Sequence, residues 1–346
     1  MPTNARRPAE PRTTDLTVAV TGPTGTFGFG FVPLLQADPR ISRVVGIARR
    51  PFDPAEHGWT KMAYRQGDVR DPEALREAFR GADVVVHLAF LVTGGADRAT
   101  TRAVNVEGTL NAFRAAASAG AQRFVYASSV AAYGFHPDNP VGMTEDWPVR
   151  PAARLFYAQE KAELELLLAQ EAGTHPETGL YLLRPPVVLG PHTTGAKELV
   201  PGSATLGSLL LDAVRRSPLP VVVPVAALPM QFIHEDDVGQ ALLLCTVAAG
   251  GAPGAYNITG DGVLTLADVA REVGLVPLPV PSGLAQSAAR LASAVPWPPL
   301  VPPAAEWVEA LSHPSIMDAS KAKRELGWSP RHTSLEALRA ALGTTS

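Results

Sequence analysis

The segment LTVAVTGPTGTFGFGFVPLL (16–35) constrains the fold more than any other part of the sequence. A short apolar run leads directly into a loop in which Gly22, Gly25 and Gly28 recur at three-residue intervals, and the apolar residues that follow recur with helical period. Glycines there allow a tight turn and a close approach to a pyrophosphate, whose charge meets the N–H groups of the helix N-terminus. The pattern predicts a dinucleotide site between a strand and a helix; the alternative is a glycine-rich turn without a ligand.

Apolar runs of strand type alternate with helical patterns along the N-terminal half of the chain. After the run at 16–20, we predict strands at 43–48, 83–89, 123–128 and 180–189. Because these runs are apolar throughout, they indicate a parallel sheet with helices on both faces. The predicted fold class is α/β, a Rossmann-type doubly wound parallel sheet with a smaller C-terminal substrate-binding lobe.

The density of proline rises after about residue 185, which indicates a change of domain. We predict a flexible tail at 1–14, a dinucleotide-binding Rossmann domain at 15–185, and a mostly substrate-binding lobe at 186–346. The segment 231–258 is predicted to return to the Rossmann domain.

The composition limits the partners and the location that we expect. A net charge of −3 over 346 residues gives no basic footprint for nucleic acid, and no apolar run is long enough to cross a bilayer. The single cysteine, Cys245, rules out an intramolecular disulfide framework and favours a reducing, cytoplasmic setting. The first 14 residues lack the apolar core of a secretory signal. We therefore expect a cytoplasmic protein without a nucleic-acid or membrane partner, and the histidine spacing indicates no metal site.

Two arginines follow the second predicted strand, in the sequence GIARRP. A dinucleotide site that prefers NAD usually has a carboxylate here to accept from the ribose 2′-OH, whereas the guanidinium groups of Arg49 and Arg50 suit a 2′-phosphate. We therefore expect NADP to be favoured, with NAD as the alternative; the two arginines could also be solvated surface residues. After the third strand, in GDVRD, Asp68 is predicted to lie beside the adenine, and Asp71 is predicted to cap a helix.

The helical segment FYAQEKAELELL (156–167) places Tyr157 and Lys161 on the same face, one turn apart. A free phenol has a pKa of about 10, and an adjacent ammonium favours the phenolate and lowers that pKa, so the tyrosine can exchange a proton near neutral pH. The segment YASSVAAYG (126–134), at the end of the fifth strand, supplies hydroxyl groups that can hold a reacting oxygen. Alone, a tyrosine four residues before a lysine is usually ordinary helix surface.

Together, these motifs resemble the extended branch of the short-chain dehydrogenase/reductase superfamily, the NAD-dependent epimerase/dehydratase type. From about residue 15 onward the motifs occur in the family's order, namely TGPTGTFG (21–28), HLA (87–89), NVEGTLNAF (105–113), RPPVVLGP (184–191), FIHEDDV (232–238) and SKAKRELGWSP (320–330). The resemblance implies hydride transfer between a nicotinamide and a carbonyl carbon or secondary alcohol. In that chemistry Tyr157 exchanges the proton, Ser129 hydrogen-bonds the reacting oxygen, and Lys161 holds the ribose and lowers the tyrosine pKa.

The resemblance also implies a homodimer, formed through the helices at 98–119 and 154–170, and it assigns residues to two ligands. The predicted cofactor contacts are Gly22, Thr24, Gly25, Thr26, Phe27, Gly28, Arg49, Arg50, Asp68, Val69, Leu88, Ala89, Asn105, Tyr157, Lys161 and Pro185. The predicted substrate contacts are Phe90, Leu91, Ser129, Tyr133, Val187 and Val188. For Val187 and Val188, a place in the apolar core is an equally open interpretation.

Three departures from the family pattern bear on the substrate. Val130 and Ala131 follow Ser129, where members that dehydrate nucleotide sugars have an Asp-Glu pair, so the sequence argues against sugar dehydration. Val187 stands where nucleotide-sugar epimerases usually have an asparagine, and Met230 and Gln231 stand before Phe232, where they usually have a basic residue. These replacements predict a less polar substrate, such as a ketone or secondary alcohol on a hydrophobic scaffold.

Three functions are open at this point. The first is an oxidoreductase that favours NADP and interconverts a carbonyl and a secondary alcohol on a small or hydrophobic substrate. The second is a sugar or nucleotide-sugar epimerase that uses bound NAD for transient oxidation, and the third is a non-catalytic member of the fold that senses its cofactor. The presence of Ser129, Tyr157 and Lys161 together favours an enzyme over the third.

Overall fold

The structure, a computed structural model, describes residues 12–92, 97–193, 220–247, 251–280 and 313–343. Its strands, in chain order, are β1 (Leu16–Thr21), β2 (Ile41–Ala48), β3 (Met62–Gln66), β4 (Val84–His87), β5 (Arg123–Ala127), β6 (Gly179–Arg184), β7 (Val187–Leu189), β8 (Val222–Ala226), β9 (Pro229–Met230), β10 (Phe232–His234), β11 (Gly254–Asn257), β12 (Leu264–Thr265) and β13 (Val276–Val280). Residues 1–11 of the predicted tail lie outside the described part.

The helices connect these strands. In chain order they are α1 (Thr26–Ala37), α2 (Pro72–Phe79), α3 (Arg98–Arg102), α4 (Gly108–Ser118), α5 (Phe156–Thr174), α6 (Glu235–Val247), α7 (Leu266–Glu272), α8 (Ser320–Glu325) and α9 (Ser334–Leu342), with a π-helical turn at Ala103–Glu107 and 3₁₀ turns at Pro54–His57 and Val130–Tyr133. As predicted, the Asp71 side chain caps α2. No helix in the described part of the chain is long and apolar enough to span a membrane.

A seven-stranded parallel sheet forms the centre of the fold, in the order β11-β6-β5-β4-β1-β2-β3. One face packs against α1 and α6, which contribute Phe31 and Leu242 to the apolar core. The other face packs against α2, α4 and α5, which contribute Phe79 and Leu168 among others. Burying one such side chain stabilises the fold by about 1.5–3 kcal/mol. The predicted α/β class and the Rossmann-type doubly wound sheet are confirmed.

The strand predicted at 180–189 is wrong as a single element. It divides into β6, which belongs to the main sheet, and β7, which pairs with β10 in a separate two-stranded sheet. Pro185 and Pro186 lie between them, and proline has no N–H to donate to a sheet ladder, so the pairing is interrupted there. The helix predicted at 98–119 is likewise interrupted by the π-helical turn. The predicted homodimer through this region and α5 stays a prediction.

Helices α1 and α6 cross with their backbones in close contact. A Cβ atom on Gly239 would lie 2.3 Å from the carbonyl oxygen of Gly30, and a Cβ atom on Gly30 would lie 2.8 Å from the carbonyl oxygen of Glu235. Carbon atoms do not approach carbonyl oxygens so closely in packed interiors, so only glycine fits at these two positions. Since α1 begins at the glycine loop, this crossing fixes the helix whose N-terminus faces the predicted dinucleotide site.

We predict that Gly239→Ala lowers the free energy of unfolding by about 1–3 kcal/mol, because the added methyl group overpacks the crossing. The matched control is Gly173→Ala in α5, where no described heavy atom lies within 4 Å of the added Cβ. Alanine there should raise stability by about 0.5–1 kcal/mol through helix propensity. Urea unfolding followed by circular dichroism measures both changes. Equal stability of Gly239→Ala and the wild type would show that the two helices separate without cost.

Candidate active site

The glycine loop joins β1 to α1 at the carboxyl edge of the sheet. Gly22 has a left-handed φ of +67°, and a Cβ atom there would lie 3.0 Å from backbone atoms of Ala89. A Cβ atom on Gly28 would lie 2.0 Å from the carbonyl oxygen of Pro23, so the loop needs glycine at both positions. The N-cap residue of α1 is the exposed Gly25, which has no side chain to cap the first turn. This helix N-terminus fits the pyrophosphate of a dinucleotide.

A buried chain of hydrogen bonds links this edge of the sheet to α4. His87, the last residue of β4, contacts the Thr21 hydroxyl through Nδ1 at 2.8 Å and the Thr109 hydroxyl through Nε2 at 2.9 Å. Since the Thr109 hydroxyl donates to the carbonyl oxygen of Asn105, the ring donates its Nε2–H to Thr109 and accepts from Thr21. Burial lowers the pKa of His87 to about 3, so the imidazole is neutral.

The turn after β2 is held by side chains of β3. Gln66 donates from Nε2 to the carbonyl oxygen of Arg49 at 3.0 Å, and the Tyr64 hydroxyl donates to the carbonyl oxygen of Arg50. The side chains of both arginines are exposed. The backbone of the turn is thus anchored, while the two guanidinium groups extend from it into solvent.

Asp68, predicted to lie beside the adenine, is half-buried after β3. Arg70 donates to its carboxylate from Nε at 3.1 Å and from Nη2 at 2.7 Å. This bond lowers the pKa of Asp68, and the charge of Arg49 adds a smaller lowering. The next residue, Val69, is buried and packs in the core against Gly108, so a cofactor contact through its side chain is not supported by this arrangement.

The other predicted cofactor residues surround the loop. Thr24, Thr26 and Phe27 are half-buried. The N–H groups of Leu88 and Ala89 both donate to the Thr21 hydroxyl at 3.2 Å, which fixes the backbone that follows β4. Pro185 is buried, and its carbonyl oxygen accepts from the N–H of Val130 at 2.8 Å.

The structure brings Ser129 and Tyr157 together, as the resemblance implies. Ser129 caps the 3₁₀ turn Val130–Tyr133, and its side chain is hydrogen-bonded to the Tyr157 phenol. Burial raises the pKa of the phenol, and the bond to Ser129 opposes that change. The expectation that Lys161 lowers this pKa is therefore wrong for the described arrangement. The phenol is protonated at neutral pH, which is the form that donates a proton.

The Lys161 ammonium is directed toward β5 rather than toward the phenol. Nζ donates to the Tyr126 hydroxyl at 2.9 Å and to the carbonyl oxygen of Ala127 at 2.8 Å, and it lies 3.7 Å from the centroid of the Phe90 ring. Lys161 is 3% exposed, and burial lowers its pKa to about 7, while the charges of two glutamates on the same helix raise it. Tyr126, which the sequence reasoning missed, is therefore a direct partner of Lys161.

The predicted substrate residues do not all face open space. Phe90 and Leu91 are half-buried, and the rings of Phe90 and Tyr157 meet edge to face with their centroids 5.7 Å apart. Val187 is 36% exposed, whereas Val188 packs against the apolar core, as the alternative interpretation held for it. An aromatic ring thus lies against both Tyr157 and Lys161.

Tyr133 is fully buried, so the prediction that it contacts substrate is wrong. Its hydroxyl accepts from Nη1 of Arg184 at 2.6 Å and donates to Oδ1 of Asn257 at 2.8 Å. The carbonyl oxygen of Thr144 lies within hydrogen-bond distance as well, at 3.2 Å. A buried hydroxyl with three protein partners supports the backbone of the site instead of facing a ligand.

Sequence reasoning also missed the buried ion pair of Glu165 and Arg184. Arg184 donates to the Glu165 carboxylate from Nε at 3.0 Å and also from Nη2, and the Ser128 hydroxyl donates to the same carboxylate. Removing one partner of such a pair costs about 3–5 kcal/mol, because the other charge is left buried and unpaired. The signal in the sequence is spacing: Glu165 follows Lys161 by one helical turn on the same face.

Comparisons with known proteins identify the family of this chain. The sequence profile of the NAD dependent epimerase/dehydratase family matches residues 18–259. The chain is 27% identical over 327 residues to the uncharacterized protein Rv0501 of Mycobacterium tuberculosis, which covers 92% of this chain and 81% of that protein. It is 30% identical over 249 residues to the ceramide reductase of Caulobacter vibrioides, which covers 71% of this chain and 66% of that protein.

The fold is similar to that of a solved enzyme with its cofactor. The UDP-glucose 4-epimerase of Thermus thermophilus, in complex with NAD, matches with a TM-score of 0.66 at 23% identity, over 95% of this chain and 98% of that chain. Fold and site together define an extended short-chain dehydrogenase/reductase. The chain belongs to the NAD-dependent epimerase/dehydratase family, a family of NAD(P)-dependent enzymes.

We predict that Lys161→Met flattens the dependence of stability on pH between about pH 7 and 10.5. The folded-state pKa of Lys161 is lower than that of the unfolded chain, so in this window the unfolded chain binds a proton that the folded protein releases. Wild-type stability therefore rises with pH across the window, and the cost of the buried charge is largest below it. Methionine does not titrate, so the variant loses this slope.

Urea unfolding of both proteins at about pH 6 and about pH 9 measures the difference. The gain in stability on going to the higher pH should be larger for the wild type than for Lys161→Met. An equal gain in both proteins would show that Lys161 has the same pKa folded and unfolded.

Proposed function

We propose that the protein is an NAD(P)-dependent oxidoreductase that interconverts a carbonyl and a secondary alcohol on a small or hydrophobic substrate. The observation that carries the proposal is the hydrogen-bonded pair of Ser129 and Tyr157, with the Phe90 ring packed against the tyrosine. In addition to a hydride source, carbonyl reduction needs a proton donor and benefits from a second hydroxyl that binds the reacting oxygen. The apolar wall suits a hydrophobic substrate.

Tyr157, Ser129 and Lys161 have different roles in the proposed reaction. When bound, the nicotinamide supplies hydride in one direction and accepts it in the other. In reduction, Tyr157 donates its phenolic proton to the carbonyl oxygen, and the Ser129 hydroxyl donates a hydrogen bond to the same oxygen as negative charge builds there. A raised phenol pKa keeps that proton available at neutral pH. Lys161, one turn further along α5, holds the ribose of the cofactor in the role that the resemblance implies.

Contacts around the site support an apolar substrate. Phe90 presents an aromatic ring beside Tyr157, and Val187 is exposed where a nucleotide sugar would need an amide. Gln231 donates to and accepts from the backbone of Met317, at 3.1 Å and 2.8 Å, so its amide is committed within the chain. The similarity to a ceramide reductase favours the same conclusion, since ceramide is a lipid.

The test of this function is Tyr157→Phe. With NADPH or NADH and a panel of ketones, secondary alcohols and nucleotide sugars, the wild type should turn over an apolar carbonyl or alcohol. The variant should lose at least about 100-fold in kcat, because the proton donor is gone, and it should still bind cofactor by fluorescence titration. Tyr181→Phe is the control, since that hydroxyl bonds to the carbonyl oxygen of Gly251.

Two outcomes would contradict the proposal. One is near-normal turnover by Tyr157→Phe. The other is isomer exchange of a nucleotide sugar by the wild type, with cofactor that purifies bound to the protein and no net oxidation, which would make the protein an epimerase.

The cofactor that we propose is NADP, with NAD as the alternative. Arg49 and Arg50 extend from a turn whose two carbonyl groups are fixed by Gln66 and Tyr64. Anchoring the backbone reduces the conformational freedom that the guanidinium groups lose when they bind a 2′-phosphate. The charge of Asp68 is already compensated by Arg70, so it repels a phosphate less than a lone carboxylate would.

We predict that replacing Arg49 and Arg50 together by serine weakens NADPH binding about 10- to 100-fold and leaves NADH binding nearly unchanged, since only NADPH carries the 2′-phosphate. Arg43→Ser is the matched control, because Arg43 is an exposed arginine at the other end of β2. Titrations of nicotinamide fluorescence give the dissociation constants. An equal loss of affinity for both cofactors would remove the proposed preference.

A further inference from the structure

Glu160 is a buried acid beside Lys161 that the proposed mechanism leaves without a task. It is 2% exposed. Its Oε2 accepts from Nδ2 of Asn105 at 2.8 Å, and its Oε1 has no hydrogen-bond partner among the described residues. Burying a carboxylate with one unpaired oxygen costs free energy. The hydrogen bond with Asn105 is the contact through which Glu160 can act on the rest of the site.

Asn105 connects Glu160 to the loop after β4. It lies in the π-helical turn, and its side-chain amide pairs with both backbone groups of Leu91: Oδ1 accepts from the Leu91 N–H at 2.8 Å, and Nδ2 donates to the Leu91 carbonyl oxygen at 3.0 Å. The remaining N–H of Nδ2 is the one that Glu160 accepts. Both side-chain hydrogens of Asn105 are therefore donated, one to Glu160 on α5 and one to the Leu91 backbone in the loop.

The loop in turn carries the ring that lies on the catalytic residues. Phe90 directly precedes Leu91, and its centroid lies 3.7 Å from Nζ of Lys161 and 5.7 Å from the centroid of Tyr157. Glu160 thus contacts Asn105, and Asn105 contacts the loop at Leu91. The Phe90 ring of the same loop contacts Tyr157 and Lys161 on α5. Fixing the Leu91 backbone restricts where the Phe90 ring can lie.

We propose that Glu160 is a positioning residue: through Asn105 it fixes the backbone of Leu91, and so holds the Phe90 ring as an apolar wall of the substrate site over Tyr157 and Lys161. This inference rests on the proposed function only for the role of the ring toward substrate. The contact from Glu160 to Leu91 does not depend on it.

The charge of Glu160 gives this role a second signature. Arg102 on α3, and Lys161 and Glu163 on α5, are the charged groups that act on Glu160; burial raises its pKa most, while the bond from Asn105 and the two cations lower it. Ionised Glu160 in turn raises the pKa of Lys161, as Glu165 does more strongly. Removing the charge of Glu160 while keeping its shape should therefore lower the pKa of Lys161.

Two variants separate position from charge. Glu160→Asp keeps the charge but withdraws the acceptor from Asn105 by one methylene, and Glu160→Gln keeps an acceptor but removes the charge. Glu163→Gln is the matched control: Glu163 lies one turn further along α5, and its carboxylate is paired with Arg102 rather than with Asn105. Glu160→Ala repeats the first test if the aspartate variant does not fold.

The first measurement is hydrogen exchange by mass spectrometry on peptides that span 88–92, without substrate. The Leu91 amide should exchange about tenfold faster or more in Glu160→Asp, and at the wild-type rate in Glu160→Gln and Glu163→Gln. Wild-type exchange in Glu160→Asp would overturn the proposal. Because no substrate is used, this result is independent of the proposed function.

The second measurement is the pH profile of kcat/KM with the substrate that the screen identifies. The limb that is set by the ionisation of Lys161 should move to lower pH in Glu160→Gln and stay in place in Glu163→Gln. Glu160→Asp should raise KM several-fold, because the Phe90 ring is then held less firmly at the substrate site. An unchanged KM in Glu160→Asp would overturn the role of Glu160 in holding the Phe90 ring at the substrate site. If no substrate turns over while the exchange result holds, the proposed function fails and the positioning of Leu91 by Glu160 stands.

Discussion

The rest of the site depends on the hydrogen bonds and the charge of the buried Glu165 carboxylate. It lies where β5, β6 and α5 meet, and it accepts hydrogen bonds from Ser128 and Arg184. Its charge also raises the pKa of the buried Lys161. Two cations are therefore buried near one carboxylate, in surroundings where an unpaired charge would be strongly unfavourable. Because Ser128 precedes Ser129 directly, the same carboxylate also restricts the position of the hydroxyl that meets Tyr157.

Burial acts on the two titrating groups of the site in opposite directions. It raises the pKa of Tyr157, and it lowers the pKa of Lys161 to about 7. In both cases burial disfavours the charged form of the group, because an ion without a close partner is less stable in a low dielectric than in water. The resulting site holds a proton on the phenol rather than a standing negative charge. That protonation state suits the proposed reduction, in which the proton leaves only as charge develops on the substrate oxygen.

How much of this could be predicted from the sequence depends on how local each feature is. The glycine loop is a local feature and lies between β1 and α1, as predicted. Tyr157 and Lys161 also lie one turn apart on one helix, but the Lys161 ammonium is directed toward β5. The split of the strand at 180–189 follows from Pro185 and Pro186, a local signal that the prediction overlooked. The burial of Tyr133 could not be predicted in this way, because it depends on partners from distant segments, Arg184 and Asn257. The raised pKa of Tyr157 could not be predicted either, because it results from burial in the folded chain.

The crossing of α1 and α6 has a consequence for how this protein can change during evolution. At Gly30 and at Gly239, the backbone of the opposite helix occupies the space in which a side chain would lie. A larger residue on either helix is therefore not compensated by a smaller one opposite, since glycine is already the smallest on both sides. Sequence drift at the crossing requires the helices to separate, and α1 would then carry the dinucleotide loop away from the sheet edge. Each of these two positions is thus restricted to glycine by a helix that is distant in the sequence.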